Sequence, residues 1–313
     1  MTEAASPLRI AGVDCGTNSI RLLIVEVNPD GTLTEICRRN TIVRLGEGVD
    51  ETRELKPEAI ERTRVALAGY VDEMEREGVT RVRMVATSAM RDVVNRDEFF
   101  GMTRALLGRI ELGKHADIIS GEEEAKLSFT GATVDLDPAR GPVCVIDLGG
   151  GSTEFVTPNG AVSTQMGCVR LTERFLHSDP PTEAEIAETR AYVRDILNGV
   201  APLLDDTRTV LGCAGTFTTL SALTQRLETY DPERIHMAEL SFEDIEATTA
   251  ALREQTSDER RANPVIHPGR ADVIAAGAVI VEEIIAVARV RAGATSMVVS
   301  EKDILDGIVA SQL

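Results

Sequence analysis

Apolar residues fall along this chain in two alternating rhythms. Ile10–Asp14 and Arg21–Val27 are short apolar runs that read as strands, and Leu33–Val43 continues as a third after the turn Asn28–Gly31. From Pro57 the period lengthens: Ile60, Leu67, Val71 and Met74 share one helical face, and Gly78 is placed to cap the end. Arg81–Thr87 predicts a strand, Asp97 and Glu98 open a helix to about Gly108, Ala116–Ser120 predicts a strand, and Gly121–Glu124 opens another helix. The order is β-β-β-α-β-α-β-α.

After the turn residues Asp137–Pro142 the pattern restarts. Val143–Asp147 and Thr153–Thr157 read as two strands. Thr182 with Glu185 forms a capping box before a helix to about Leu204, and Ser241 with Asp244 caps another. Thr209–Leu211 predicts a strand running into Gly212–Thr216 and a helix; Gly269–Val290 is a long alanine-rich helix, Ser296–Ser300 a strand, and Lys302–Leu313 an amphipathic helix. Consecutive strands followed by alternating helix and strand, twice over, predict an α/β fold: two domains of mixed sheets flanked by helices. The expected boundaries are 1–135, joined by the last helix at 301–313, and 136–300.

Each half carries an acid, a glycine turn and hydroxyls after its first strand. In the second half, Asp147 leads into Gly149, Gly150, Gly151, Ser152 and Thr153, then Glu154. In the first half, Asp14 leads into Gly16, Thr17, Asn18 and Ser19, and Arg21 stands where Glu154 does. Asp14 and Asp147 lie 133 residues apart, as do Gly16 and Gly149, and Ser19 and Ser152. Glycines let the main chain approach a ligand closely, and successive N–H groups in such a turn form a nest for phosphate. Flanking carboxylates repel a bare phosphate unless a hard cation such as Mg²⁺ lies between, which makes Asp14, Asp147 and Glu154 candidate metal positions. The repeat predicts two lobes gripping one phosphorylated ligand; ordinary solvated turns are the alternative.

Charge narrows the partners. The 313 residues carry a net charge of −18 with aromatics at 3% and no tryptophan, which argues against nucleic-acid and anionic-membrane binding. Five scattered cysteines form no CxxC pair, so neither a zinc site nor a disulfide framework is expected. The opening residues MTEAASPLRI lack a basic start and an apolar run, and the apolar stretch Val273–Val290 is interrupted by Glu282, Glu283 and Arg289. Together these lead to the expectation of a cytoplasmic protein.

Five blocks carry a resemblance: Asp14–Arg21 (DCGTNSIR), Thr87–Asn95 (TSAMRDVVN), Ile118–Ala125 (IISGEEEA), Ile146–Glu154 (IDLGGGSTE) and Gly212–Thr216 (GCAGT). The first and fourth resemble the actin-like phosphotransferase superfamily; the second and third resemble the exopolyphosphatase and guanosine pentaphosphate phosphohydrolase family in its short, two-domain form. The resemblance implies two ribonuclease-H-like lobes with the site in a cleft, a last helix returning to the first lobe, and a homodimer. It implies hydrolysis of the terminal phosphoryl of inorganic polyphosphate, with Mg²⁺ or Mn²⁺, and Glu124 as the catalytic glutamate. Glu123 is the alternative base, and helix-opening acids that merely complement the dipole are the bland reading. Arg91 is assigned to phosphate, as arginine grips phosphate oxygens in a fork. Arg21 is a candidate for a further phosphate, Arg38, Arg39 and Arg44 for a polyphosphate path, and Arg270 for an anion. Guanosine pentaphosphate hydrolysis, a non-catalytic alarmone or polyphosphate sensor, and an ATP-binding kinase are the competing functions. The Gly212–Thr216 turn matches the adenosine position of nucleotide-binding relatives, but in this family the resemblance implies that it shapes the cleft or a strand-to-helix turn.

Overall fold

The structure is a computed structural model and describes residues 7–313. The start of the N-terminal segment read above for a leader lies outside the described residues. The elements in chain order are β1 Leu8–Cys15, β2 Ser19–Val27, β3 Leu33–Ile42, α1 Val49–Thr52, α2 Pro57–Arg76, β4 Arg81–Ala86, α3 Ser88–Asp92, α4 Arg96–Leu107, β5 Asp117–Ile118 and α5 Gly121–Ala132. They continue with β6 Val143–Leu148, β7 Thr153–Thr157, β8 Gly160–Thr164, α6 Cys168–Phe175, α7 Glu183–Val200, β9 Thr209–Cys213, α8 Ala214–Thr224, α9 Pro232–Ile235 and β10 Ala238–Ser241. The last are α10 Phe242–Glu254, α11 Ser257–Ala262, α12 Ile274–Arg291, β11 Ser296–Val299 and α13 Ile304–Ala310. Two mixed sheets flanked by helices result, as the pattern predicts.

The chain divides into two compact units, one of residues up to Ser120 with Leu305–Leu313, the other Gly121–Ile304. The boundary therefore falls before α5 and not after it at 135. The cause is packing: Ala125 and Ala132 of α5 are buried against Val143, Val145 and Val156 of β6 and β7. For the same reason the C-terminal segment of the first unit starts at Leu305, where side chains turn to that unit's core.

The first unit has a sheet ordered β3-β2-β1-β4-β5. Its central β1 pairs antiparallel with β2 and parallel with β4. One face packs on α2 and α4 through Val13, Ile24, Leu67 and Phe99. The other face presents Ile10, Leu23 and Val25 to Leu305 and Val309 of α13. Gly12 permits that approach, since a Cβ there would meet Val309 Cγ2 at 3.0 Å. Asp306 holds the helix on the sheet through Arg38, at 2.7 Å. Arg39 is likewise engaged with Glu73, so neither arginine is spare for a phosphate path.

The second unit has a sheet ordered β10-β11-β9-β6-β7-β8. β6 again lies centrally, antiparallel to β7 and parallel to β9. It is buried on both faces, so its sequence is a continuous apolar run and not an alternation. Cys144, Ile146 and Leu148 point to the large core beneath α7, α8 and α12, the buried isoleucine and leucine contributing about 1.5–3 kcal/mol each. Val143 and Val145 point to α5 on the other face. The glutamates that interrupt α12 are paired: buried Glu283 receives Arg194 at 2.6 Å, and Glu282 receives Arg253 at 2.9 Å. Among the described residues no helix is long and apolar enough to cross a membrane.

Candidate active site

In the second unit β6 delivers Asp147 on its α5-facing side, next after Val143 and Val145 in the alternation. Glu154 of β7 is its direct cross-strand partner, and Ser163 of β8 is in turn the partner of Glu154. Residues opposite one another share a face, so the two acids stand side by side, an arrangement that costs free energy unless compensated. Both are buried, and so is Glu124 in the first turn of α5. Burial, then the charge of Glu124, then that of Asp147, push the Glu154 carboxyl well above the ordinary glutamate value; the hydroxyls of Ser163 and Ser152 act the other way. Of the two acids proposed as base, Glu124 is the one whose charge reaches Glu154 and is buried; Glu123 is half-buried.

The turn between the two strands is closed by Gly149 N–H donating to the Ser152 carbonyl at 3.0 Å. Its carbonyls face α6. Gly149 accepts from Cys168 N–H at 3.1 Å, Gly150 from Val169 N–H at 2.8 Å and Arg170 N–H at 3.1 Å, and Gly151 from the Arg170 side chain at 2.8 Å. This satisfies orphan amides of the helix N-terminus and fixes the direction of the peptide planes. Among the described residues, the N–H groups of Gly150, Gly151 and Ser152 donate to no backbone carbonyl, as a phosphate nest requires. Thr153 differs from the expectation: its buried hydroxyl is given to the Met166 carbonyl, so only its neighbours offer polar groups to a ligand. Nothing in the sequence marked Arg170, which is buried and anchors the turn from below; only the position of α6 reveals it.

The first unit repeats the backbone and changes the chemistry. Gly16 N–H donates to Ser19 at 2.9 Å, and the carbonyls of Thr17 and Asn18 are taken by Gly46 at 2.8 Å, Val43 at 3.0 Å and Arg44 at 2.8 Å. Arg21 lies directly opposite Asp14 and gives it two bonds, Nε at 3.0 Å and Nη2 at 2.7 Å. The guanidinium expected to meet a phosphate is thus engaged with Asp14. The hydroxyls of Thr17 and Ser88 are buried here without a hydrogen-bond partner. Arg91 sits in α3, three residues on from Ser88, and donates to the Ile119 carbonyl at 3.3 Å. Cys15 beside Asp14 is buried, and burial pushes its thiol up, so it is a core residue and not a nucleophile.

These groups suit the expected cation. Asp147, Glu154 and Glu124 are all hard oxygen donors, and their crowding leaves excess negative charge that a divalent ion neutralises. Among the described residues no three acids, cysteines or histidines are already gathered in ligand geometry. Mg²⁺ does not demand this, because it keeps waters and binds through one or two carboxylates plus substrate phosphates. The donor chemistry therefore fits.

The Gly212–Thr216 turn is occupied from within. A Cβ on Gly215 would meet the Arg270 guanidinium at 2.1 Å, and Arg270 donates to Thr219 at 3.4 Å.

Comparison with known proteins identifies the family. Residues 23–312 match the model of the Ppx/GppA phosphatase family. Exopolyphosphatase 2 of Mycobacterium tuberculosis is 50% identical over 312 residues, covering 97% of this chain and 98% of the relative. The crystal structure of the Aquifex aeolicus member of the Ppx/GppA family superposes with a TM-score of 0.80 at 31% identity, covering 98% of each chain. An exopolyphosphatase from Cytophaga hutchinsonii superposes with a TM-score of 0.87 at 24% identity, covering 97% of each chain, a likeness of fold alone.

Proposed function

This chain belongs to the Ppx/GppA phosphatase family, and we propose that it is an exopolyphosphatase that cleaves the terminal phosphoanhydride of inorganic polyphosphate and releases orthophosphate. The observation that carries the reading is the buried set Glu124, Asp147 and Glu154 beside a glycine turn in which, among the described residues, the Gly150, Gly151 and Ser152 amides donate to no backbone carbonyl. The 50% identity to exopolyphosphatase 2 supports polyphosphate as substrate.

Phosphoryl transfer needs a held phosphoryl group, neutralised charge and an oriented water. The amides of Gly150, Gly151 and Ser152 bind oxygens of the terminal phosphoryl. Asp147 and Glu154 would hold a divalent cation, Mg²⁺ or Mn²⁺, which would supply neutralisation of charge on the phosphoryl oxygens. Glu124 accepts the proton of the attacking water, so that the P–O bond to water forms as the anhydride P–O bond breaks. In the first unit, the Gly16–Ser19 turn and Arg91 are the proposed phosphate ligands, and Asp14, with its charge already taken up by Arg21, is the weakest of the cation positions.

The test is orthophosphate release from polyphosphate by the wild type and by Glu124→Gln. We expect kcat to fall about 10²–10⁴-fold with KM little changed. Equal rates would sink the base assignment, whereas no release by the wild type from any chain length would sink the activity. Guanosine pentaphosphate in the same assay, compared by kcat/KM, tests the substrate.

A further inference from the structure

We propose that Ser163 and Ser128 are positioning residues: each hydroxyl fixes one oxygen of a site carboxylate, Glu154 and Asp147 respectively, and so sets how the pair presents itself to a cation. The inference rests on the reading above, in which that pair holds the cation.

Ser163 Oγ donates to Glu154 Oε1 at 2.7 Å from the neighbouring strand, and Ser128 Oγ donates to Asp147 Oδ2 from α5. Two like charges on adjacent strands repel and would splay into different rotamers; a donor on each restrains them. Filling a buried hydroxyl's valence does not explain the choice of partner. On the same helix Thr130 donates to the carbonyl four residues back, Lys126, at 3.0 Å, the usual local solution. Ser128 is fully buried, yet its bond leaves the helix for a side chain of the sheet. Ser128 also follows Glu124 by four residues, so base and donor share one helical face. Gly121 sets the approach of that helix: a Cβ there would meet Ser163 Cβ at 2.6 Å and Oγ at 2.9 Å. A glycine at the first residue of α5 therefore lets helix and β8 close together around the acid pair.

The experiment uses the full chain, stripped of metal, with Ser163→Ala and Ser128→Ala made separately. Each removes one oxygen, and thermal unfolding without metal checks that the fold is retained. Calorimetric titration with Mn²⁺ should show about 10-fold weaker binding in each variant. Polyphosphate hydrolysis should need correspondingly more Mn²⁺ and recover as Mn²⁺ is raised. Wild-type Mn²⁺ affinity in both variants would overturn the positioning role and leave the exopolyphosphatase reading standing. A loss of activity that tracks lost thermal stability and is indifferent to Mn²⁺ would also overturn it. A wild type that hydrolyses polyphosphate but binds no Mn²⁺ would remove the cation and this inference together, without touching the activity.

Discussion

The turns after β1 and β6 share a backbone and differ in charge. Both follow a central strand with one antiparallel and one parallel neighbour, and both close with a glycine amide bonded three residues on. Across from the leading aspartate stands Arg21 in one and Glu154 in the other. The helix over that face differs as well. In the first unit it is α13, whose Asp306 is spent on Arg38; in the second it is α5, which brings Glu124 and Ser128 to the acids. One copy thus sets an arginine against its acid, and the other sets a second acid there. Two turns of one backbone differ at a single cross-strand position, and on the proposed reading only the second would take the cation.

The largest expected effect tests the compensated turn. Asp14 is buried, and Arg21 is its cross-strand counter-ion at 2.7 Å. Arg21→Met keeps much of the apolar stem and removes the charge, leaving a buried carboxylate without that counter-ion. Breaking such a pair should cost about 3 kcal/mol, measured by urea unfolding. A loss below about 1 kcal/mol would rank the pair with surface bridges and end the claim that this turn is internally balanced.

The second test asks how firmly each turn is backed. Gly167 lies under the glycine turn of the second unit: a Cβ there would meet the Gly150 carbonyl oxygen at 2.3 Å and its carbon at 2.4 Å. Gly46 lies under the first turn, but a Cβ there would meet side-chain atoms only, Thr17 Cγ2 at 2.4 Å, Ala89 Cβ at 3.2 Å and Thr17 Cβ at 3.3 Å. Backbone cannot yield without moving the amides, so Gly167→Ala should cost about 2 kcal/mol and Gly46→Ala less than about 1 kcal/mol. The first should also raise KM for polyphosphate. Equal costs would mean that the two turns are supported alike.

Much of this comparison was legible in the sequence. The acid–glycine–hydroxyl repeat gave both turns, and the capping box at Thr182 and Glu185 is present as read. What escaped was short or tertiary in origin. β8 is five residues of small and polar character, and α6 is eight residues whose first amides are satisfied by the glycine turn. Neither carries a periodic signal long enough to stand out. Missing β8 also hid Ser163, and assigning α5 to the first lobe separated Glu124 and Ser128 from the strands they serve. The Asp14–Arg21 pair was within reach, because the predicted hairpin already puts those positions opposite each other.

The gentlest effect per unit of change is a pH slope, and it belongs to the Glu154 position. In metal-free protein the Glu154 carboxyl is held above its ordinary value near 4.5 by burial and by Glu124 and Asp147. Between that value and the raised one, the folded chain keeps a proton that the unfolded chain has released. Stability conferred by the protonated form is then complete at low pH and is lost as pH rises through the folded-state value, with a slope of at most one proton, about 1.4 kcal/mol per pH unit. Glu154→Gln removes that term, so the variant should overtake the wild type as pH rises from about 5 to 8 in chelator, by urea unfolding at each pH. Divalent cation should restore the wild type most at the upper end, where the carboxylate is ionised. The matching position in the first unit is Arg21, which carries no proton to lose in this range, so no such term attaches to it. A difference between Glu154→Gln and wild type that stays constant across pH would mean the acid pair is compensated after all, and the contrast between the two turns would then lie in their helices rather than in their charge.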